Sequence, residues 1–287
     1  MQQVSTPGPG GLAVGVDIGG TGTKAGLVDV SRGVMVGKRF RLDTPQPATP
    51  EAVVETVAQV IAGLGASAAA DGLLDSPEAV AALPLGCAFP GVIRAGAVLF
   101  TGNLAESFVG FPLANALADR LGTEAHLAND ADAAGLAEMA YGAGSDHLDR
   151  TVIMTTLGTG IGTALFTRGH LLPYTELGHL IVDGVPAETR TSVAAMKREG
   201  YDMAEWCRRL TVYYSELERL FWPDLFIVGG GISKRAAEFL SSIEVSTPIR
   251  AAQLLNNAGI VGAGLLGAQG GRIDAPAPAG SVRTERL

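Results

Sequence analysis

Residues 12–30 read Leu-Ala-Val-Gly-Val-Asp-Ile-Gly-Gly-Thr-Gly-Thr-Lys-Ala-Gly-Leu-Val-Asp-Val. An apolar run, Leu12 to Ile18, stops at a cluster of glycines. A second apolar run follows from Ala25 to Val30. Short apolar runs bounded by glycine are the pattern of buried strands. A strand that returns at once as a strand makes the linking segment a hairpin turn. A dinucleotide fingerprint would instead lead from the glycines into a helix. The Gly-x-x-x-x-Gly-Lys-Ser/Thr phosphate loop is also absent from the chain. The turn itself, Gly19, Gly20, Thr21, Gly22 and Thr23, suits an anion. Glycine permits positive φ and close approach, and successive N–H groups make an anion-binding nest. Hydroxyls of Thr21 and Thr23 and the Lys24 ammonium add donors. One such turn alone is more often an ordinary hairpin.

The pattern recurs. Thr151 to Leu157 and Ile161 to Phe166 are two strands joined by Gly158, Thr159, Gly160, Ile161 and Gly162. A third glycine cluster, Gly229, Gly230 and Gly231, follows the apolar strand Leu225 to Val228. Three such turns, each after a strand, favour phosphate binding over chance. Two strand–turn–strand halves point to a duplicated α/β fold of the actin-like, ribonuclease-H-like kind, two domains with a cleft between them. The expected division is a small domain over 12–127 and a larger one over 128–256. The last helix, 257–268, is expected to pack back on the first domain. Segments 1–11 and 270–287 read as flexible tails.

Between these landmarks the chain alternates strands and helices. Val34 to Leu42 reads as a strand, and Thr49 as the cap of a helix from Pro50 to about Leu64. Ser67 to Pro77 reads as a loop and Ala81 to Ala88 as a strand. Helices are expected over Pro112 to Leu121, Asp130 to Tyr141 and Asp202 to Phe221, and from Ser233 onward. Ala125 to Ala128 is a short strand.

Composition sets limits on function. The 287 residues are 47% hydrophobic, enough for a sizeable core, and the net charge of -8 argues against a nucleic-acid binder. Cys87 and Cys207 are far apart and form neither a disulfide framework nor a zinc spacing. No basic flank and apolar core mark a signal peptide, and no apolar run reads as a membrane span. A cytoplasmic protein is expected.

The polar residues supply the chemistry. Asn129 and Asp130 end a strand and open a helix. The carboxylate can act as a general base and the amide can fix a ligand, although either residue can simply cap the helix. Glu176 and His179 lie close together beside Gly178, with Glu188 shortly after. Acceptors and donors of this kind suit a polyhydroxylated ligand. The competing readings are a solvated charge for Glu176 and a structural or metal-ligating role for His179. Asn103, beside Gly102, is a further candidate, with an ordinary turn as its alternative.

Taken together, Asp17 to Lys24, Asn129–Asp130, Gly158 to Gly162, Glu176-x-x-His179 and Gly229 to Gly231 resemble the bacterial ROK family (repressors, open reading frames, kinases). The order and spacing cover the chain from Val14 to Gly267. The resemblance implies a sugar kinase with Asp130 as catalytic base and Asn103, Asn129, Asp130, Glu176, His179 and Glu188 on the sugar. It implies donor phosphates on Asp17, Gly19, Gly20, Thr21, Gly22, Thr23, Lys24, Gly158, Thr159, Gly160, Gly229, Gly230 and Gly231. Mg²⁺ would reach Asp17 through water. A homodimer is also implied. Many members carry a cysteine-rich zinc motif after the Glu-x-x-His segment. Leu180 to Thr191 has no cysteine, so no structural zinc is expected.

Thr44 to Pro50, Asn129 to Glu138 and Trp222 to Ile227 are similar to the actinobacterial members that phosphorylate glucose from polyphosphate. Those relatives have an acid and a lysine where this chain has Ala105 and Glu106. Polyphosphate, ATP or both remain open as donors. Mannose, fructose or an N-acetylated amino sugar remain alternative acceptors, and a non-catalytic sugar sensor remains the alternative class. The missing N-terminal helix-turn-helix sets the repressor branch aside.

Overall fold

The hairpin at 12–30 is formed by β1 (Leu12–Ile18) and β2 (Gly22–Asp29), which pair antiparallel from Leu12↔Asp29 to Ile18↔Thr23. The computed structural model describes residues 11–102 and 104–272. Asn103 and the expected tails, apart from Gly11 and 270–272, lie outside the described residues. Residues 270–272 form the turn that ends the last helix. The described chain forms two compact units, 11–137 with 257–272, and 138–256.

In the first unit β3 (Val34–Asp43) pairs antiparallel with β2, and α1 (Pro50–Ala70) follows. β4 (Leu85–Phe89) runs parallel to β1. A two-stranded hairpin, β5 (Gly91–Arg94) and β6 (Ala97–Thr101), precedes α2 (Leu113–Leu121). β7 (Ala125–Asn129) pairs parallel with β4 and leads directly into α3 (Asp130–Tyr141). The sheet order is β3-β2-β1-β4-β7.

The second unit repeats the plan. β8 (Thr151–Leu157), β9 (Ile161–Thr167) and β10 (His170–Leu172) are antiparallel. After them come a small hairpin, β11 (Ile181–Val182) with β12 (Val185–Pro186), and three helices, α4 (Glu188–Thr191), α5 (Val193–Glu199) and α6 (Met203–Phe221). β13 (Leu225–Gly229) and β14 (Ile249–Ala251) then add in parallel, giving the order β10-β9-β8-β13-β14. Each sheet is thus three antiparallel strands extended by two parallel ones. α7 (Ala258–Ala268) is the last helix among the described residues and belongs to the first unit.

Alternation along β1 explains how that unit packs. Leu12, Val14, Val16 and Ile18 join the core with Val53, Val57, Val60 and Leu64 of α1. Gly15 faces α7 instead: a Cβ there would lie 1.9 Å from the Ile260 carbonyl oxygen. Gly86 of β4 stands in the same relation to the Ala263 carbonyl oxygen, at 1.9 Å. The two glycines let the α7 backbone lie directly on the sheet.

Several sequence expectations are corrected. β2 begins at Gly22 rather than Ala25, so the first turn is only Gly19 to Thr21. α1 continues to Ala70, because the Ala-rich stretch after Leu64 favours helix despite its glycine and serine. The strand expected from Ala81 begins at Leu85, after a 3-10 turn over Pro77–Ala82. The segment expected as a helix from Ser233 is a 3-10 stretch, Gly231–Glu238, broken at Arg235. α1 is, contrary to expectation, long and apolar enough to cross a membrane by length and composition. Its apolar side chains are spent on the sheet, with Val53, Val57 and Val60 fully buried.

Candidate active site

In the first unit, the turn Gly19 to Thr21 is held from outside by β3 and the segment after it. Thr44 Oγ1 donates to the Gly19 carbonyl at 2.5 Å, and Arg41 Nη2 to the Thr21 carbonyl at 3.2 Å. Gln46 Nε2 reaches the Gly20 carbonyl at 3.5 Å. With its carbonyls occupied from behind, the turn has its N–H groups as what remains to offer a ligand, apart from that of Gly19, which donates to the Gly22 carbonyl at 3.2 Å.

At Gly22 and Gly160 the glycine serves space rather than φ, whereas a Cβ on Gly158 would meet nothing within 4 Å. Among the described residues Gly19, Gly20, Gly22, Gly158 and Gly160 all avoid positive φ, contrary to the sequence expectation. A Cβ on Gly22 would meet the Arg41 guanidinium at 2.7 Å. In the third cluster Gly230 does need its φ of 82°.

Asp17 and Lys24 face each other across β1 and β2, and Lys24 Nζ lies 3.1 Å from Asp17 Oδ2. The carboxylate also neighbours the first turn of α7: a Cβ on Gly259 would sit 3.5 Å from Asp17 Cγ. A helix N-terminus favours negative charge. The cation and the carboxylate singled out in the sequence are therefore one half-exposed ion pair beside the turn.

At the β7–α3 junction Asn129 is the helix cap. Its Oδ1 accepts from Ala131 N at 2.8 Å and Asp132 N at 3.3 Å. Its Nδ2 donates to the Gly91 carbonyl at 3.2 Å. Gly102 N donates to the neighbouring Pro90 carbonyl at 3.2 Å, so the end of β6 meets the same corner. Asp130 is exposed at the head of α3, with Oδ1 turned back on Ala131 N at 2.8 Å. Asn129 therefore caps α3.

In the second unit, Glu188 opens α4 and reaches the second glycine turn. Its Oε2 accepts from Ile161 N at 3.1 Å, and a Cβ on Gly160 would strike that oxygen at 2.4 Å. Its Oε1 lies 3.4 Å from His179 Nε2. Glu176 completes the group: burial holds its carboxyl above the usual carboxylate range, the Glu188 charge adds to this, and His179 opposes it. The structure thus gathers Glu176, His179, Glu188 and the Gly158–Gly160 turn. The third cluster lies beside the second because β13 and β8 pair up to Gly229↔Thr156, and a Cβ on Gly230 would meet the Leu157 carbonyl oxygen at 2.4 Å.

Sequence reasoning missed the residues that hold these pieces. Thr163 is buried; its Oγ1 donates to the Thr175 carbonyl at 2.8 Å and accepts from Leu177 N at 3.1 Å, bracketing Glu176. Arg41, Thr44 and Gln46 do the same for the first turn. Their partners lie 12 to 26 residues away, so no local motif announces them.

Residues 13–208 match the ROK family. This chain belongs to the ROK family. It is 40% identical over 252 residues to the polyphosphate glucokinase of Mycobacterium tuberculosis, covering 88% of this chain and 89% of that protein. Among solved structures it is similar to the inorganic polyphosphate/ATP-glucomannokinase of Arthrobacter sp. strain KM. That match has 47% identity and a TM-score of 0.82, over 90% of this chain and 99% of the other. A ROK family glucokinase from Streptomyces griseus, solved with glucose and AMPPNP, matches at 27% identity with a TM-score of 0.72, over 90% and 100% of the two chains. The two repeated sheets described above are accordingly the actin-like fold of ROK sugar kinases.

Proposed function

We propose that this ROK protein is a glucokinase that transfers the terminal phosphoryl group of inorganic polyphosphate or ATP to the 6-hydroxyl of glucose. The observation that carries the reading is Glu188. It ties a half-buried carboxyl and an imidazole, suited to sugar hydroxyls, to a glycine turn suited to phosphate. The likeness to polyphosphate-using kinases over nine-tenths of the chain supports the donor and acceptor. The name glucomannokinase of the Arthrobacter relative favours mannose as a second acceptor.

In this mechanism Asp130 accepts the proton of the 6-hydroxyl as its oxygen attacks the terminal phosphorus. The bond to the donor's bridging oxygen breaks, and the shortened donor leaves with that electron pair. Asn129 holds the turn that presents Asp130. Glu176, His179 and Glu188, with Asn103, take the sugar hydroxyls. The turns at Gly19–Thr23, Gly158–Gly160 and Gly229–Gly231 take donor phosphates, with Lys24 exchanging Asp17 for a phosphate oxygen. Catalysis is mainly positioning and charge stabilisation.

Mg²⁺ suits the residues present. It is commonly bound by one or two carboxylates plus substrate phosphates and water. Asp17 offers one carboxylate, and among the described residues no group of three His, Cys, Asp or Glu could hold a metal by itself. Bound with the donor, Mg²⁺ would neutralise phosphoryl charge, with Asp17 reaching it through water. We further propose a cytoplasmic homodimer, supported by the reduced cysteines and the family membership, which sedimentation of the purified protein would test.

Asp130→Asn tests the mechanism. It keeps shape and a capping side chain but removes the base, so glucose phosphorylation should fall ~100- to 10,000-fold. Wild-type turnover in a variant with an unchanged melting temperature would remove Asp130 from the role.

A further inference from the structure

The second unit has a cavity of about 350 Å³ lined by the β11–β12 hairpin, α4 and one face of α6, and none of the residues assigned above is in its lining. Its size falls within the ~300–1,000 Å³ range of small-molecule sites. Three guanidinium groups line it: Arg190 from α4, Arg208 and Arg209 from α6. Only Glu205 and Asp183 oppose them in the lining.

The pairing is incomplete. Glu205 binds both Arg208 and Arg209, the latter at 2.8 Å. Arg209 is also fixed over the Tyr201 ring, 4.2 Å from its centroid. Yet Arg209 Nε is buried and has no acceptor among the described residues. A buried donor without a partner is costly, and native structures rarely keep one without reason. Arg190 is exposed and its side chain has no ion-pair partner among the described residues.

We propose that this cavity binds a sugar phosphate at a site separate from the catalytic residues. A phosphomonoester is the anion that guanidinium groups recognise through paired N–H bonds, and Arg190 and Arg209 Nε supply donors not already used. Asp183 and the remaining acceptor capacity of Glu205 suit hydroxyls. Val182, Ala187 and Val212 give the apolar wall against which a sugar ring packs. The cavity is larger than inorganic phosphate alone would fill. Arg190 also shares a single short helix with Glu188, so the site adjoins the element that carries a sugar-holding carboxylate.

Calorimetric titration of the full chain with glucose 6-phosphate, in protein saturated with glucose, tests this without relying on turnover. Saturation fills the acceptor position, so remaining heat reports another site. One equivalent should bind, and Arg190→Gln should weaken it at least about tenfold, as expected for losing one charge-assisted pair. Arg190 is exposed, so the variant should melt as the wild type does. Inorganic phosphate, titrated in parallel, should bind at least about tenfold more weakly, because it lacks the sugar contacts. Absent binding in glucose-saturated protein would overturn the proposal. So would unchanged affinity in Arg190→Gln, and so would inorganic phosphate binding as tightly as the sugar phosphate.

Discussion

Glu176 is a carboxyl whose surroundings oppose its charge. Burial and the Glu188 carboxylate raise its pKa, and His179 only partly offsets them. The folded state therefore holds the Glu176 proton more tightly than the unfolded chain does. Wild-type stability must fall as pH rises from the ordinary carboxylate range up through the raised value. Gln never ionises, so Glu176→Gln should melt higher than wild type at neutral pH and gain nothing at about pH 3, well below the ordinary Glu pKa of about 4.3, where the carboxyl is protonated in both the folded and unfolded chain. The same change should weaken glucose binding by about 1–3 kcal/mol, the usual effect of unpairing a buried polar partner, and leave the donor KM alone. Melting curves across pH and the two KM values check this. A donor KM that rises while glucose binding holds would reverse the subsite assignment. At this scale the sequence shows which side chains are chemically apt, Glu176, His179 and Glu188 included. It does not show Thr163 or Arg41, because their importance lies in backbone groups brought near only by folding.

Among the elements, α7 depends on absent side chains more than on present ones. Gly15 and Gly86 allow its Ile260 and Ala263 carbonyls to touch the sheet. A methyl at Gly15 would lie 1.9 Å from backbone, which cannot swing aside as a flexible side chain can. Gly15→Ala should therefore destabilise by at least the ~1–3 kcal/mol typical of overpacked cores. Urea unfolding measures it, and a midpoint within error of wild type would show that α7 does not seat on β1 as described. The long elements were legible because their periods are unbroken: the β1–β2 hairpin, and α6 with its buried face of Trp206, Leu210, Tyr213 and Leu217. The β5–β6 hairpin, α4 and α5 were not, since pieces of four to seven residues carry too few apolar positions to show a period. α4 matters most among these, because Glu188 reaches both His179 and the glycine turn only from that short helix. Glu138 makes the same point: its buried carboxylate accepts from Gln253 N at 3.1 Å and Leu254 N at 2.7 Å, contacts no local pattern reveals.

For the whole molecule, a net charge of -8 must be reconciled with a polyanionic donor. In the proposed site, local N–H groups and a few cations would do this at the glycine turns, but a polymer extends beyond them. Lys38 and Arg39 are exposed on β3, the strand whose Arg41 already contacts the first turn. Exposed charges are screened over a Debye length of about 8 Å at physiological ionic strength. Added KCl should therefore lower polyphosphate-driven turnover more steeply than ATP-driven turnover. Parallel slopes would place no cations beyond the nucleotide-sized part of the donor. The central claim is tested most directly by supplying purified protein with glucose and Mg²⁺, adding polyphosphate and ATP separately, and following glucose 6-phosphate through a coupled dehydrogenase. The account predicts product from glucose with polyphosphate and with ATP. Failure of both donors to yield glucose 6-phosphate from folded protein would contradict it.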